Sequence, residues 1–243
     1  MYPIEPSEQI PCPQRALQRV QIDIYQALAT SVRVYFYNKG EAMTYPDFFH
    51  NIPLIELEDP LSDLLGTFEN GEYTISYLDL VKGSGHSCPT LAGAYLICYH
   101  ALKALYPNTA AYRGSIQVDF KEDIQAGTTG LISNVVSYIT GATDKSGFKG
   151  LDGQFSRHSL MHFNQKVDSV RFTRLDTHHS VEAFYDPSTI KPDLKQMVLM
   201  KKIMQNKASV EEKKEFGRLW QARVKKILID NFHNETIIKV TSV

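Results

Sequence analysis

The segment from Pro89 to Tyr106 constrains the fold of this chain more than any other stretch of its sequence. Apolar side chains return there at helical intervals, at positions Leu91, Tyr95, Leu96, Leu102 and Leu105. Pro107 ends the pattern, because proline lacks the N–H that a continuing helix needs. Proline is tolerated at the first helical position, where that N–H has no partner in any case. The sequence therefore predicts a helix over residues 89–106 with Cys88 as its N-cap.

Short segments typical of β-strands follow this helix. Residues 114–120 alternate apolar and polar side chains, as a half-buried strand does. Residues 159–163, 170–175 and 181–185 also have strand character, whereas the apolar run 131–139 fits a helix or a strand. A series of strands after a helix favours an α+β fold with a mixed or antiparallel sheet and packed helices, rather than a doubly wound sheet.

The beginning of the chain indicates a soluble protein of the cytoplasm. It lacks a basic start followed by an apolar run, and no stretch approaches the roughly 18 apolar residues that span a bilayer. Residues 14–29 favour a helix, and residues 31–37 are richer in β-branched and aromatic side chains. The three cysteines, Cys12, Cys88 and Cys98, are too few for a disulfide scaffold and fit a reducing compartment.

The last fifty residues differ in character from the rest. Ser209 and Glu212 have the spacing of a capping box, in which each side chain bonds the backbone N–H of the other residue. An apolar helical face follows, formed by Phe216, Leu219, Trp220, Val224, Ile227 and Leu228. We expect residues 1–190 to form the α+β core domain with an N-terminal helical segment. Residues 191–243 should form a two-helix extension that packs on the core or on a partner subunit.

Charge is balanced overall but not along the chain. The formal net charge of -1 gives no basic field that would attract nucleic acid or an anionic membrane. Residues 41–80 nevertheless carry nine acidic and no basic side chains, whereas residues 191–230 carry eleven basic and five acidic ones. The sequence predicts that the basic tail packs near the acidic segment, within one subunit or across a homodimer.

The turn before the long helix, residues 83–90, carries the strongest chemical signal. Cys88 lies at a helix N-terminus, where the backbone dipole favours a negatively charged sulfur. His86 lies two residues earlier, so the pair can supply a nitrogen and a sulfur ligand to zinc, or act as base and nucleophile. Two ligands leave open coordination positions, as catalysis or transport requires. Alternatively, Cys88 is a small buried residue and His86 a polar residue of the turn.

Two motifs resemble the FmdE family, whose members are related to one of the components of formylmethanofuran dehydrogenase. The first is Gly85-His86-Ser87-Cys88-Pro89-Thr90-Leu91-Ala92-Gly93-Ala94-Tyr95, the more specific one, and the second is residues 140–150. The resemblance covers about residues 59–163. It implies an α+β core with a mixed sheet, frequent dimerisation and, in many members, bound zinc. It also implies that His86 and Cys88 are metal ligands, with Cys88 the best catalytic candidate and the loop 140–150 near the same small-molecule cleft.

This chain departs from the family pattern in its second motif and its tail. Asn134, Ser137 and Ala142 stand where many relatives have aspartate, glutamine and cysteine, and no cysteine follows Cys98 to form a C-terminal zinc finger. The resemblance still implies a metal-binding protein of unknown reaction, with zinc as the metal. The alternative is a non-catalytic interaction module that has lost part of the site.

Other polar side chains are weaker candidates. Four histidines are possible replacements for the missing ligands, namely His158, His162, His178 and His179. Lys145 and Lys149 flank a glycine-containing loop that can hold an anionic group. We expect Arg157 to be a solvated surface residue, Cys98 to lie in the core, and Tyr95, Tyr99 and Tyr106 to serve helix packing.

Overall fold

A computed structural model describes residues 44–243, and Tyr45–Val243 form one compact unit. The predicted helix at 14–29, the β-branched and aromatic run at 31–37 and Cys12 lie outside the described residues. None of the described helices has the length and apolar character that a membrane crossing needs.

The described residues form six α-helices and eight short β-strands. The helices are α1 Pro60–Leu64, α2 Tyr77–Ser84, α3 Pro89–Leu105, α4 Thr129–Thr140, α5 Leu194–Met204 and α6 Val210–Lys225. The strands are β1 Ile55–Glu58, β2 Glu72–Ile75, β3 Ala111–Tyr112, β4 Ile116–Phe120, β5 Met161–His162, β6 Val170–Arg174, β7 Ser180–Tyr185 and β8 Ile238–Ser242. Single 3-10 turns occur at Asp47–Asn51 and Glu69–Gly71, and a π-helical turn at Lys226–Asp230 extends α6.

The strands form two mixed sheets, which confirms the predicted α+β class. In the three-stranded sheet, ordered β2-β1-β3, β1 is antiparallel to β2 and parallel to β3. In the five-stranded sheet, ordered β5-β4-β6-β7-β8, only the β4–β5 pair is parallel. Val118, Phe172 and Val181 are paired across neighbouring strands and fully buried. Helix α3 packs against β7 and β8 of this sheet.

Helix α3 is the centre of the core, as its sequence predicts. It is apolar nearly all round, and a helix of that kind is stable only when other elements cover it on several sides. Leu91, Tyr95, Leu96 and Cys98 are fully buried, and burial raises the pKa of the Cys98 thiol. The ambiguous segment 131–139 belongs to helix α4, which packs against α3.

The predicted two-helix tail is present, but the tail does not end as a helix. Ser209 and Glu212 form the predicted capping box, with Glu212 N donating to Ser209 Oγ at 3.2 Å. Beyond α6, the chain adds β8 to the edge of the five-stranded sheet, antiparallel to β7. The β-branched residues around Val240 and Thr241 were the available sequence signal for this strand.

Within the subunit, the tail and the acidic segment line one groove but are not joined by ion pairs. Helix α6 borders a groove of about 370 Å³ whose other wall contains Pro46 and Phe48. Lys195 and Lys202 instead pair with Glu215 and Glu212 inside the tail itself. Among residues 44–243, no ion pair joins the acidic segment to the tail.

Candidate functional site

The turn between α2 and α3 is built to end one helix and start the next. Ser76 and Asp79 form a capping box at the start of α2, and Gly85 ends that helix in a left-handed conformation with φ of 73°. Glycine adopts this conformation without the steric cost that a side chain brings. The chain then extends through His86 and Ser87 to the first turn of α3.

Cys88 occupies the predicted N-cap position of α3. Its backbone is extended, and its Sγ atom accepts a hydrogen bond from the backbone N–H of Leu91 at 3.3 Å. The thiol is not in a disulfide and the residue is partly exposed. Cys88 therefore lies at the positive end of a helix, partly exposed and partly packed against the core.

His86 is exposed, and one of its two ring nitrogens is occupied. Its Nδ1 atom lies 3.0 Å from the carbonyl oxygen of Ser84. A carbonyl only accepts, so Nδ1 must carry the hydrogen and the neutral ring keeps its lone pair on Nε2. An imidazole held in this way by a backbone carbonyl is the usual form of a metal-ligating histidine.

The C-terminal tail holds the backbone of the turn in place. Trp220 Nε1 donates to the carbonyl oxygen of Ser87 at 2.9 Å, and Gln221 Nε2 donates to the same oxygen at 3.3 Å. On the other side, the Ser87 hydroxyl lies 2.9 Å from the Tyr77 hydroxyl. The local sequence of the turn does not predict these partners. The only available signal was the predicted apolar face of α6, which includes Trp220.

Tyr185 of β7 fixes the first turn of α3. Its hydroxyl donates to the carbonyl oxygen of Pro89 at 2.8 Å, and its ring lies against Gly93. A Cβ atom at Gly93 would lie 2.2 Å from that ring, so this position of the first motif needs glycine. Burial raises the pKa of both Tyr185 and Tyr77, and these phenols therefore stay neutral at physiological pH.

No third ligand joins His86 and Cys88 among the described residues. Across residues 44–243, no three His, Cys, Asp or Glu side chains converge as a metal site requires. His162 bonds Asp119 through Nδ1 at 2.9 Å, and His158 lies 3.0 Å from the Ser159 hydroxyl. The exposed residues His178 and His179 lie in the connection between β6 and β7.

Arg157 is buried, contrary to the expectation of a solvated surface residue. It is 6% exposed, and its Nη2 atom donates to Asp59 Oδ1 at 2.6 Å. Arg113 donates to the other oxygen of Asp59 at 3.1 Å. The residues next to Arg157 in the sequence do not predict its burial, because its partner Asp59 is 98 residues away in the chain.

The loop of the second motif lies over this charged cluster. The backbone N–H of Thr143 donates to the carbonyl oxygen of Arg157 at 2.9 Å, and the Arg157 guanidinium occupies the space beside Gly114 and Gly141. The hydrogen bonds of the described residues do not link this loop to the turn at Cys88.

The departures from the family pattern have different surroundings. Ala142 is fully buried, Ser137 is partly buried and Asn134 is exposed on α4.

Lys145 and Lys149 are exposed, and neither forms an ion pair with another residue in the 44–243 range. The groove beside α6 is lined by neither His86 nor Cys88.

Comparison with known proteins extends the resemblance. A search of the curated proteins found no match. The family model described as FmdE, molybdenum formylmethanofuran dehydrogenase operon, matches residues 84–234. The match begins later than the expected residue 59 and continues past residue 163, so both helices of the tail are part of the matched region, whereas β8 is not. Because the match covers more than half of the chain and includes the turn with His86 and Cys88, this protein belongs to the FmdE family.

Proposed function

We propose that this protein binds zinc through His86 Nε2 and Cys88 Sγ and uses the remaining coordination positions for a small molecule. The observation that carries the proposal is the hydrogen bond from His86 Nδ1 to Ser84, which leaves Nε2 available two residues before the free thiol of Cys88. The reaction and the substrate stay open.

The two side chains fit the ligand preferences of zinc. Imidazole nitrogen and cysteine sulfur are both common zinc ligands, and Cys88 is the N-cap residue of α3. The ligating atoms come from a turn whose backbone is held by Trp220, Gln221 and Tyr185. When bound, zinc would supply a Lewis acid with open positions.

A second role for the same pair needs no metal. Cys88 would act as a nucleophile and His86 as the base that accepts its proton. Zinc retention separates the two roles. The metal role requires His86 and Cys88 to bind zinc, whereas the nucleophile role requires no bound zinc.

The alternative function is a non-catalytic interaction module. Two observations favour it: the described residues bring no third ligand to the turn, and Ala142 places a buried methyl group where many relatives have cysteine. Helix α6, which carries Trp220 and Gln221, would then serve to rigidify the turn rather than to position ligands.

Metal content tests the proposal directly. The full chain, purified without chelator and incubated with zinc, should retain about one equivalent by elemental mass spectrometry. Cys88→Ala and His86→Ala should each lose it. The matched controls Cys98→Ala and His178→Ala, at a buried thiol and an exposed histidine, should keep it. Retention of zinc by Cys88→Ala would refute the metal role, and a zinc-free wild-type chain would favour the interaction module.

A further inference from the structure

The groove beside α6 is lined by residues other than those of the turn at His86 and Cys88. One wall contains Pro46 and Phe48, and helix α6 forms the other wall. The α6 residues that line the groove are Gly217, Arg218, Gln221, Ala222 and Lys225. Its volume of about 370 Å³ lies in the range of small-molecule sites. The groove is therefore large enough to hold a small molecule.

Both walls of the groove are held by contacts outside it. Phe48 is 8% exposed, and its ring meets the Phe49 ring edge-on with the centroids 4.8 Å apart. On the helix, Gln221 Nε2 donates to the carbonyl oxygen of Ser87 at 3.3 Å, and Val224 is fully buried. Because these contacts fix the walls, a ligand would bind with little further ordering of side chains.

Gly217 lies on the groove wall in the interior of α6, where glycine weakens a helix. A glycine at such a position costs about 0.5–1 kcal/mol relative to alanine. Its φ angle is not positive, and a Cβ atom there would meet no atom within 4 Å. Neither the backbone conformation nor packing against the described residues therefore requires glycine here. The missing side chain does leave the wall open, so that a ligand can reach the helix backbone.

The charges at the groove favour an anion. Lys225 and Arg218 line it, whereas none of the described lining residues is acidic. Lys225 is exposed and forms no ion pair with another residue in the described part of the chain. Arg218 and Lys195 both pair with the carboxylate of Glu215, so two positive charges face one negative charge there. The groove therefore combines apolar surface with an excess of positive charge.

We propose that this groove binds a small organic carboxylate with an apolar body. The carboxylate would pair with Lys225, supported by the positive charge of Arg218, and the apolar part would pack on Phe48 and Pro46. Burial of the apolar part would supply affinity, and the charges would select the orientation of the ligand.

An acidic peptide is a poorer occupant of the groove. A specific protein interface uses about 20–30 residues on each side. Seven residues line this groove, and Lys225 is the lining residue whose charge has no partner among residues 44–243. A small molecule with one negative charge matches the groove better in both size and charge.

Ligand-observed NMR on the full-length chain tests the proposal with phenylacetate as the probe. For a ligand of this size we expect saturable binding with a dissociation constant on the order of 1 mM. Phenylacetamide, which has nearly the same shape but no charge, should bind at least about 3-fold more weakly. The absence of saturable binding of phenylacetate up to about 10 mM, or equal binding of the amide, would overturn the proposal.

Two variants test whether the probe binds in the groove. Gly217→Leu places a side chain there and should remove measurable binding, while the higher helix propensity of leucine keeps α6 folded. Lys225→Glu should raise the dissociation constant at least about 3-fold, because glutamate repels the carboxylate. Lys213→Glu, an exposed charge reversal on the same helix outside the groove, is the matched control and should leave binding unchanged.

Circular dichroism identifies the variants that remain folded. Unchanged binding of phenylacetate in either folded groove variant would mean that the probe binds elsewhere and would overturn the proposal. Tighter binding of tetraglutamate than of phenylacetate, lost in Lys225→Glu, would also overturn it in favour of an acidic peptide.

Discussion

The turn before α3 and the loop after α4 differ in the exposure of their polar side chains. At the turn, His86 is exposed and Cys88 partly exposed, and the fixed contacts are made by the backbone of Ser87 and Pro89. At the loop, Arg157 is buried and its contacts run to a carboxylate. The comparison indicates that the turn leaves His86 and Cys88 at least partly exposed, whereas the charged cluster beneath the loop is buried and joins distant parts of the chain.

Of the substitutions that test this comparison, Asp59→Asn should cause the largest loss of stability. Asparagine caps α1 about as well as aspartate, so the change mainly removes the negative charge that faces Arg113 and Arg157. Leaving the buried Arg157 without its carboxylate should cost about 3–5 kcal/mol in the free energy of unfolding. Denaturant titration measures the loss. The control Glu56→Gln, in an exposed pair with Lys103, should cost less than about 1 kcal/mol. Equal losses in both variants would contradict a structural role for the cluster.

Gly93→Ala should have the next largest effect, and it probes the packing of the turn rather than its reactive groups. The new methyl group would displace the Tyr185 ring, at a cost of about 1–3 kcal/mol. The higher helix propensity of alanine than of glycine should offset up to about 1 kcal/mol of this destabilisation. Gly83→Ala, where nothing lies within 4 Å, is the matched control and should be neutral or slightly stabilising. A Gly93→Ala variant as stable as the control would show that Tyr185 does not constrain this helix.

Trp220→Phe tests the link between the tail and the turn. Phenylalanine keeps an aromatic ring but cannot donate to the Ser87 carbonyl, so unfolding stability should fall by about 0.5–1.5 kcal/mol. If the turn also positions zinc ligands, zinc affinity measured by competition with a chelator should weaken in the same variant. Unchanged stability and unchanged affinity would together mean that α6 does not support the site.

His86→Ala should have the smallest effect on folding. The side chain is exposed and its one hydrogen bond is local, so the zinc-free chain should lose less than about 0.5 kcal/mol. Denaturant titration in the presence of a chelator measures this value. A loss above about 1 kcal/mol would mean that His86 is a structural residue of the turn, and the contrast between the two regions would fail.

Local patterns predicted the elements that carry the proposed site. The long helix, the N-cap at Cys88, the capping box at Ser209 and the strands β4, β6 and β7 all follow from residues within a few positions of one another. The run 131–139 could not be assigned from the sequence, because a short apolar segment fits the periodicity of a helix and that of a strand. The C-terminal strand was missed because helical signals precede it, and its partner β7 lies far back in the chain.

The sequence by itself determined the class of fold, the long helix at its core, and the family to which the motifs belong, and it singled out His86 and Cys88 as candidate site residues. Only the tertiary structure decided that Arg157 is buried against Asp59 and that Trp220 holds the carbonyl of Ser87. The physical reason is sequence separation. Helix periodicity and capping act over three or four residues, whereas these contacts join residues 98 and 133 positions apart and depend on the path of the whole chain.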